Sequence, residues 1–258
     1  MARLLHSVMA AWFVAMTAIL LCWCSQTTVA LTVRETDHNV VFINIPINQT
    51  VLQKYLNDDL QPIVYNGSAW LALVAFQLFS LEAEISHTFV PIPGSSGTIV
   101  KTVAFVMQKD GSQRGYMILD MDFSSSLQAL GCSTTQPGVH CYHSHASNIT
   151  GSHVAVTTED LLTLKMEYKN SSVPADVSLV AMGTELHWKY EQKDVKGSWT
   201  AGNQTSHIHK PATAITLTSF QSDLIAHRHG WPGETAGSVC QGPGTCFQTP
   251  MFQFIDKE

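Results

Sequence analysis

An Asn66-Gly67 pair stands between two runs of β-forming residues, Pro62–Tyr65 and Ala69–Phe76. Both residues tolerate the positive φ that a type I′ turn demands, and that turn matches the twist of paired strands, so a tight hairpin is expected. A second hairpin follows, in which Lys109-Asp-Gly-Ser joins Thr98–Met107 to Gly115–Met121. Val40–Ile47, Tyr142–Ile149, His153–Thr157 and Leu162–Tyr168 read as further strands, and Ser198–Ala201 with Ser206–His209 as another pair. Helices are fewer. Thr50 is the expected N-cap of a short one through Leu56, Ser124 caps a brief one ended by Gly131, and Asp176 opens the longest, with Leu179, Met182, Leu186 and Tyr190 on one apolar face. With 45% hydrophobic residues in a chain of 258 and no internal repeat or low-complexity linker, this material suits one β-rich core.

Acidic residues number 20 against 14 basic ones, and no basic run occurs, so a nucleic-acid partner is excluded. The N-terminus decides the expected compartment. Arg3 precedes an apolar stretch from Val8 to Trp23, and Thr28-Val29-Ala30 offers the small residues of a cleavage site, so residues 1–30 read as a signal peptide and 31–258 as a single domain. The stretch is shorter than the ~20 residues of a spanning helix, and a membrane is a partner only if the leader is retained as an anchor. Asn48, Asn66, Asn148, Asn170 and Asn203 each head an Asn-x-Ser/Thr sequon without proline. Together with the leader they point to a secreted or lumenal glycoprotein whose sequons lie at the surface. Four cysteines remain beyond the leader. Three pairings are open to them; Cys132 with Cys141 and Cys240 with Cys246 is the expected one, because each pair brackets a Gly/Pro-containing loop that can fold back on itself.

The run Leu60-Gln-Pro-Ile-Val-Tyr-Asn-Gly-Ser-Ala-Trp-Leu-Ala-Leu-Val-Ala-Phe76 resembles the opening hairpin of the uncharacterised YqjF-like branch of the acetoacetate decarboxylase-like superfamily. Three further blocks follow in that family's order. Val100-Lys-Thr resembles its Val-Arg-Thr strand, Gly115–Asp122 resembles its next strand ending in Asp, and Thr184-Glu with His209-Lys-Pro resembles its C-terminal pieces. The resemblance implies an α+β, β-rich fold, an antiparallel barrel-like sheet with a few flanking helices and an internal cavity. It implies no known activity. Acetoacetate decarboxylase works through adjacent lysines, and this sequence has no Lys-Lys pair; Gly97, Lys101 and Ala212 stand where the family often carries Glu, Arg and Trp.

Lys101 is the candidate that chemistry singles out. In Ile99–Phe105, period two places it on the face of Ile99, Val103 and Phe105. If that face lines a cavity, its amine can bind a carboxylate or attack a carbonyl; on an edge strand it would snorkel into water. Tyr116, His143 and His209 are grouped with it as candidate ligand-binding residues. His143-Ser-His145, His207-Ile-His209 and His227-Arg-His229 each set two imidazoles on one face if the backbone is extended, but the acids that accompany such pairs in metal sites do not follow them, and neither a metal nor another cofactor is expected. Asp120 and Asp122 share a strand face and could act as paired carboxylates, but at a strand end such a pair is expected to face solvent or cap the next helix, and Asp122 near the Ser124 helix start suits the capping role. The function expected is the binding of a small molecule, a carboxylated one being what Lys101 suggests, inside the barrel, with turnover left open. The alternative is a non-catalytic extracellular glycoprotein using the barrel as a scaffold for protein or glycan contacts.

Overall fold

In the computed structural model, residues 32–135, 139–184, 188–193, 196–201, 205–208, 211–229 and 239–257 are described. In chain order the strands are β1 (Thr32–Ile47), β2 (Leu60–Pro62), β3 (Val64–Tyr65), β4 (Ser68–Ile85), β5 (Thr88–Pro91), β6 (Gly97–Gln108), β7 (Arg114–Phe123), β8 (His140–Thr150), β9 (His153–Thr158), β10 (Thr163–Asn170), β11 (Trp188–Lys193), β12 (Lys196–Ala201), β13 (Thr205–Ile208), β14 (Thr213–Ser222) and β15 (Phe247–Lys257). The helices are α1 (Gln49–Gln53), α2 (Ser126–Thr135), α3 (Val177–Thr184) and α4 (Leu224–His229).

The Asn66-Gly67 turn forms as expected, with φ of 51° and 79° at its two residues, and Tyr65 pairs with Ser68 across it. From there the sheet runs β7-β8-β9-β10-β14-β15-β1-β4-β6, and β6 pairs back onto β7, which closes a barrel. The barrel is mixed. Strands β7 and β8 pair in parallel through Asp120–Phe123, because α2 intervenes as the crossover that a parallel pair needs; the other pairs around the ring are antiparallel. Two strands fork. The free edge of β7 takes β8 over residues 120–123 and β11 at Gly115 and Tyr116, and that of β15 takes β14 at Phe247 and Gln248 and β13 at Phe252–Ile255.

Alternation then divides the side chains of β1, β4 and β6 between two cores. Val41, Ile43, Leu71, Leu73, Val100 and Ala104 turn into the lumen, where they meet Val154, Val156, Leu164 and Met166 from the far wall and Leu224 and Ile225 of α4. Their neighbours Val40, Phe42, Val74, Phe76, Val103 and Phe105 face outward and are covered by Leu179 of α3 and by Ala129 and Cys132 of α2. On β9 and β10 only the inward set is apolar, and Lys165, Glu167 and Lys169 alternate outward into solvent.

Several local expectations need correction. Asn48, not Thr50, caps α1, its Oδ1 accepting from Thr50 N at 2.8 Å. Helix α2 continues through Gly131 to Thr135, and Ser124 Oγ accepts from Thr98 N at 2.8 Å instead of capping it. Asp176 does cap α3, accepting from Ser178 and Leu179 N; the helix is described over Val177–Thr184, shorter than α2 among the described residues, and Leu186 lies outside them. Tyr190 lies on β11; Trp188 and Tyr190 alternate with Lys189 and Glu191, and that period of two outweighs a helical spacing that the same residues also satisfy. Ser198–Ala201 pairs with β11 and Thr205–Ile208 with β15, not with each other. His227 and His229 lie on α4, so they form no strand-face pair.

Sulfur–sulfur bonds join Cys132 to Cys141 and Cys240 to Cys246, with Cα separations of 6.0 and 5.2 Å. The second loop fastens two elements. Cys240 N donates to Asn44 O of β1 at 2.9 Å, and Gly244 O accepts from Asp176 N at the start of α3, also at 2.9 Å. The loops close over sequence separations of 9 and 6, so by chain entropy each bridge contributes about 2–3 kcal/mol. Urea unfolding of variants with one pair changed to Ser should show that loss in a chain that still folds; an unfolded variant or an unchanged midpoint would contradict it.

Candidate functional site

Lys101 keeps the face that its spacing gave it. It stands on β6 between Ile99 and Val103, on the outward side of the barrel wall, and lines a cavity of about 60 Å³. The walls come from β1 (Asp37, Val40, Phe42), β4 (Val74, Phe76), β6 (Val103, Phe105), β7 (Tyr116), β15 (Phe252) and the end of α3 (Met182, Gly183, Thr184). Gly183 lets the helix approach closely, since a Cβ there would stand 2.9 Å from Phe42 Cε1 and 3.2 Å from Phe247 Cζ. The cavity that Lys101 lines is therefore not inside the barrel, where it was expected. Aliphatic side chains and a buried arginine–aspartate cluster occupy the lumen, and the cavity with the lysine lies on the opposite face of the same strands, under α3. Its size suits roughly four to six water-sized groups, the volume of a short organic acid.

Two ionisable side chains face this space. Lys101 Nζ lies 4.9 Å from the centre of the Phe76 ring, a cation–π contact, and among the described residues it makes no hydrogen bond or ion pair. Asp37 on β1 is only 3% exposed, and among the described residues no donor reaches its Oδ1. Burial and the adjacent Glu35 carboxyl push the Asp37 carboxyl well above the usual range, while the charge of Lys101 works in the other direction. The sequence reading missed Asp37. Its only signal was an acid on the leading end of an apolar strand, and what turns it inward is the irregular backbone of β1, with register shifts at Thr36/Asp37 and at His38/Val41.

Of the other candidates, Tyr116 lines the cavity with Lys101. His143 does not; it lies on β8 with its ring 5.8 Å from that of His145. His209 lies outside the described residues. Among the described residues no three His, Cys, Asp or Glu side chains gather as metal ligands. Asp120 and Asp122 neither face solvent nor cap a helix. Both are buried on the lumen side, where Arg228 Nη1 and Nη2 hold Asp122 at 2.7 and 3.0 Å, Nη1 reaches Asp120 at 3.3 Å and Nη2 reaches Asp160 at 3.2 Å. His229 Nε2 lies 2.7 Å from Asp120 Oδ2, and the guanidinium stacks 3.8 Å above the Tyr142 ring. This network ties α4 to β7 and to the turn before β10. Removing one partner from such a buried cluster costs ~3–5 kcal/mol, so its role is structural.

Residues 34–240 match the family model DUF2071, described as an uncharacterized conserved protein. The chain belongs to the DUF2071 family. Solved structures of similar fold include an acetoacetate decarboxylase from Legionella pneumophila (TM-score 0.56, 12% identity, covering 87% of this chain and 86% of that one). An acetoacetate decarboxylase-like enzyme from Sphingomonas wittichii (0.53, 8%, 88% and 91%) and the enduracididine biosynthesis enzyme MppR with HEPES buffer bound (0.52, 9%, 90% and 87%) are further relatives in shape. No curated protein matches. At these identities the likeness shows the fold alone, which is that of the acetoacetate decarboxylase-like superfamily, so the chemistry of this DUF2071 cavity rests on its own residues.

Asp37 gives the cavity a measurable signature. A carboxyl whose folded pKa is raised contributes stability that is present below its unfolded pKa and lost as pH climbs through the folded value. Asp37→Asn removes that loss. Relative to wild type, the variant should gain stability as pH rises from about 4 to about 7, read from urea midpoints; a stability difference that shrinks over that range would show that the aspartate is held ionised.

Proposed function

We propose that this protein binds a small carboxylated molecule in the cavity under α3, with Lys101 as the cationic contact and Tyr116 beside it. The observation that carries the reading is the lysine itself: an ammonium on an apolar, aromatic-walled surface, with a ring face near it but no carboxylate within ion-pair distance among the described residues. Among the described residues an amine placed so loses hydration without gaining an ion-pair partner, and a carboxylate arriving from solvent supplies one. The missing Lys-Lys pair leaves turnover open and makes binding the reading that these residues support.

The test is calorimetric titration of the purified protein with propionate. Wild type should bind, and Lys101→Met should bind at least about tenfold more weakly while unfolding at an unchanged midpoint. Equal affinity in the two proteins would remove Lys101 from the site. Absence of binding by either would favour the second reading, a scaffold for protein or glycan contacts, which the exposed sequons support.

We further propose that the chain enters the secretory pathway through residues 1–30 and carries N-glycans. Asn48, Asn66, Asn148 and Asn170 are exposed, as acceptors must be, while Asn203 lies outside the described residues. No helix among the described residues is long and apolar enough to cross a membrane. The full chain made in eukaryotic cells should reach the medium, begin at Leu31 and shift in mass on deglycosylation; an unmodified protein retained in the cytosol would refute this.

A further inference from the structure

Asp37 is a second polar group in the cavity that the binding of a simple carboxylate leaves unused. It is almost wholly buried, it lines the same space as Lys101, and among the described residues its Oδ1 receives no hydrogen bond. The acid and the amine interact through space, yet they stand farther apart than the 4 Å of an ion pair, with the cavity between them. Two complementary groups held apart across a void of this size are placed to be bridged.

We propose that the ligand is a short hydroxy acid, whose carboxylate accepts from Lys101 Nζ while its hydroxyl donates to Asp37 Oδ1. This rests on the reading of Lys101 as the carboxylate contact and adds the second half of the ligand to it. Three features select a hydroxyl over other donors. An ammonium group would meet the repulsion of Lys101 in a poorly hydrated space, whereas a hydroxyl is neutral and costs less to desolvate. The carboxyl makes its hydrogen bond with Glu35, which leaves Oδ1 an acceptor even when Asp37 is protonated; a keto oxygen accepts and cannot donate, so it would leave Oδ1 as it is. The remaining walls, Phe42, Val74, Phe76 and Val103 among them, accommodate only a short aliphatic skeleton.

The same logic sets the discrimination expected. A site with a buried acceptor rejects an analogue lacking the donor, because that acceptor then remains unpaired after its water is displaced. L-lactate, D-lactate, propionate and pyruvate are the probes, titrated against the full folded domain by calorimetry. At least one lactate enantiomer should bind wild type about tenfold more tightly than propionate or pyruvate. Asp37→Leu, which keeps the branched skeleton and removes the acceptor, should lower lactate affinity to that of propionate and leave propionate binding unchanged. Asp37→Asn, which keeps a carbonyl oxygen, should retain most of the lactate preference.

Propionate binding as well as both lactates to wild type would overturn the hydroxy-acid inference and leave the Lys101 reading standing. Failure of all four probes to bind would overturn both. An equal loss of lactate and propionate affinity in Asp37→Leu would make Asp37 a structural residue and overturn its role as a contact. Should that variant not fold, the ratio of lactate to propionate affinity in wild type decides by itself.

Discussion

The pairing of β6 with β7 is the constraint on which the rest of the structure depends. It closes the barrel, and it decides which side chains each strand shows to the lumen and which to the helices outside. Because the side-chain period of a strand is two, one extra residue reverses the facing of everything beyond it. Such a shift occurs here. Val103 pairs with Ile118 but Thr102 pairs with Asp120, so Leu119 is the residue in excess. Before the bulge, Tyr116 and Ile118 face the cavity side with Phe105 and Val103; beyond it, Met121 and Phe123 take that side and Asp120 and Asp122 turn into the lumen.

Without the bulge, two carboxylates would join Lys101 on one face and neutralise it. With it, the wall of the barrel separates two polar systems. On the lumen side, Arg228 is saturated by three aspartates and a tyrosine ring, an arrangement that fixes α4 and leaves the guanidinium 5% exposed. On the outer side, Lys101 and Asp37 face a small void, and among the described residues the Lys101 amine and Asp37 Oδ1 have no hydrogen-bond partner. The contrast is between polar groups whose partners are all in place and polar groups that, among the described residues, keep an open position, and it is the second kind that points to a ligand. The C-terminal disulfide loop joins this arrangement indirectly, since it holds the start of α3, whose last turn forms one wall of the cavity.

The sequence disclosed the parts that depend on local chemistry. The Asn66-Gly67 turn, the β6–β7 hairpin and the face of Lys101 were legible because each follows from a dipeptide's φ preference or a simple alternation. What it hid depends on contacts distant along the chain. The bulge at Leu119 has no local marker, so Asp120 and Asp122 were read as exposed or capping. Arg228 lies 106 residues from Asp122, and nothing near either announces the other. Trp188 and Tyr190 fit a helical face as well as a strand alternation, and the pairing of Trp188 with Gly115 and Ala201 fixes them as strand. Strands β14 and β15, which complete the ring, were missed; β15 finds its partner β1 at the opposite end of the chain, and β14 pairs with β10 across the intervening α3 and β11–β13. The family resemblance supplied the barrel, yet it suggested a cavity in a lumen that aliphatic side chains and a buried arginine–aspartate cluster occupy.

The central claim is that the Lys101 amine occupies a cavity able to receive a carboxylate. Its most direct test is the acetylation rate of individual lysines, followed by mass spectrometry with and without saturating propionate. Lys165 and Lys169, exposed on β10, are the internal standards. Lys101 should react at least about tenfold more slowly than either, because its environment limits access of the reagent, and propionate should slow it further while leaving the two standards unchanged. A Lys101 that is modified as fast as Lys165 and Lys169 and is indifferent to propionate would place the amine in solvent and contradict the account.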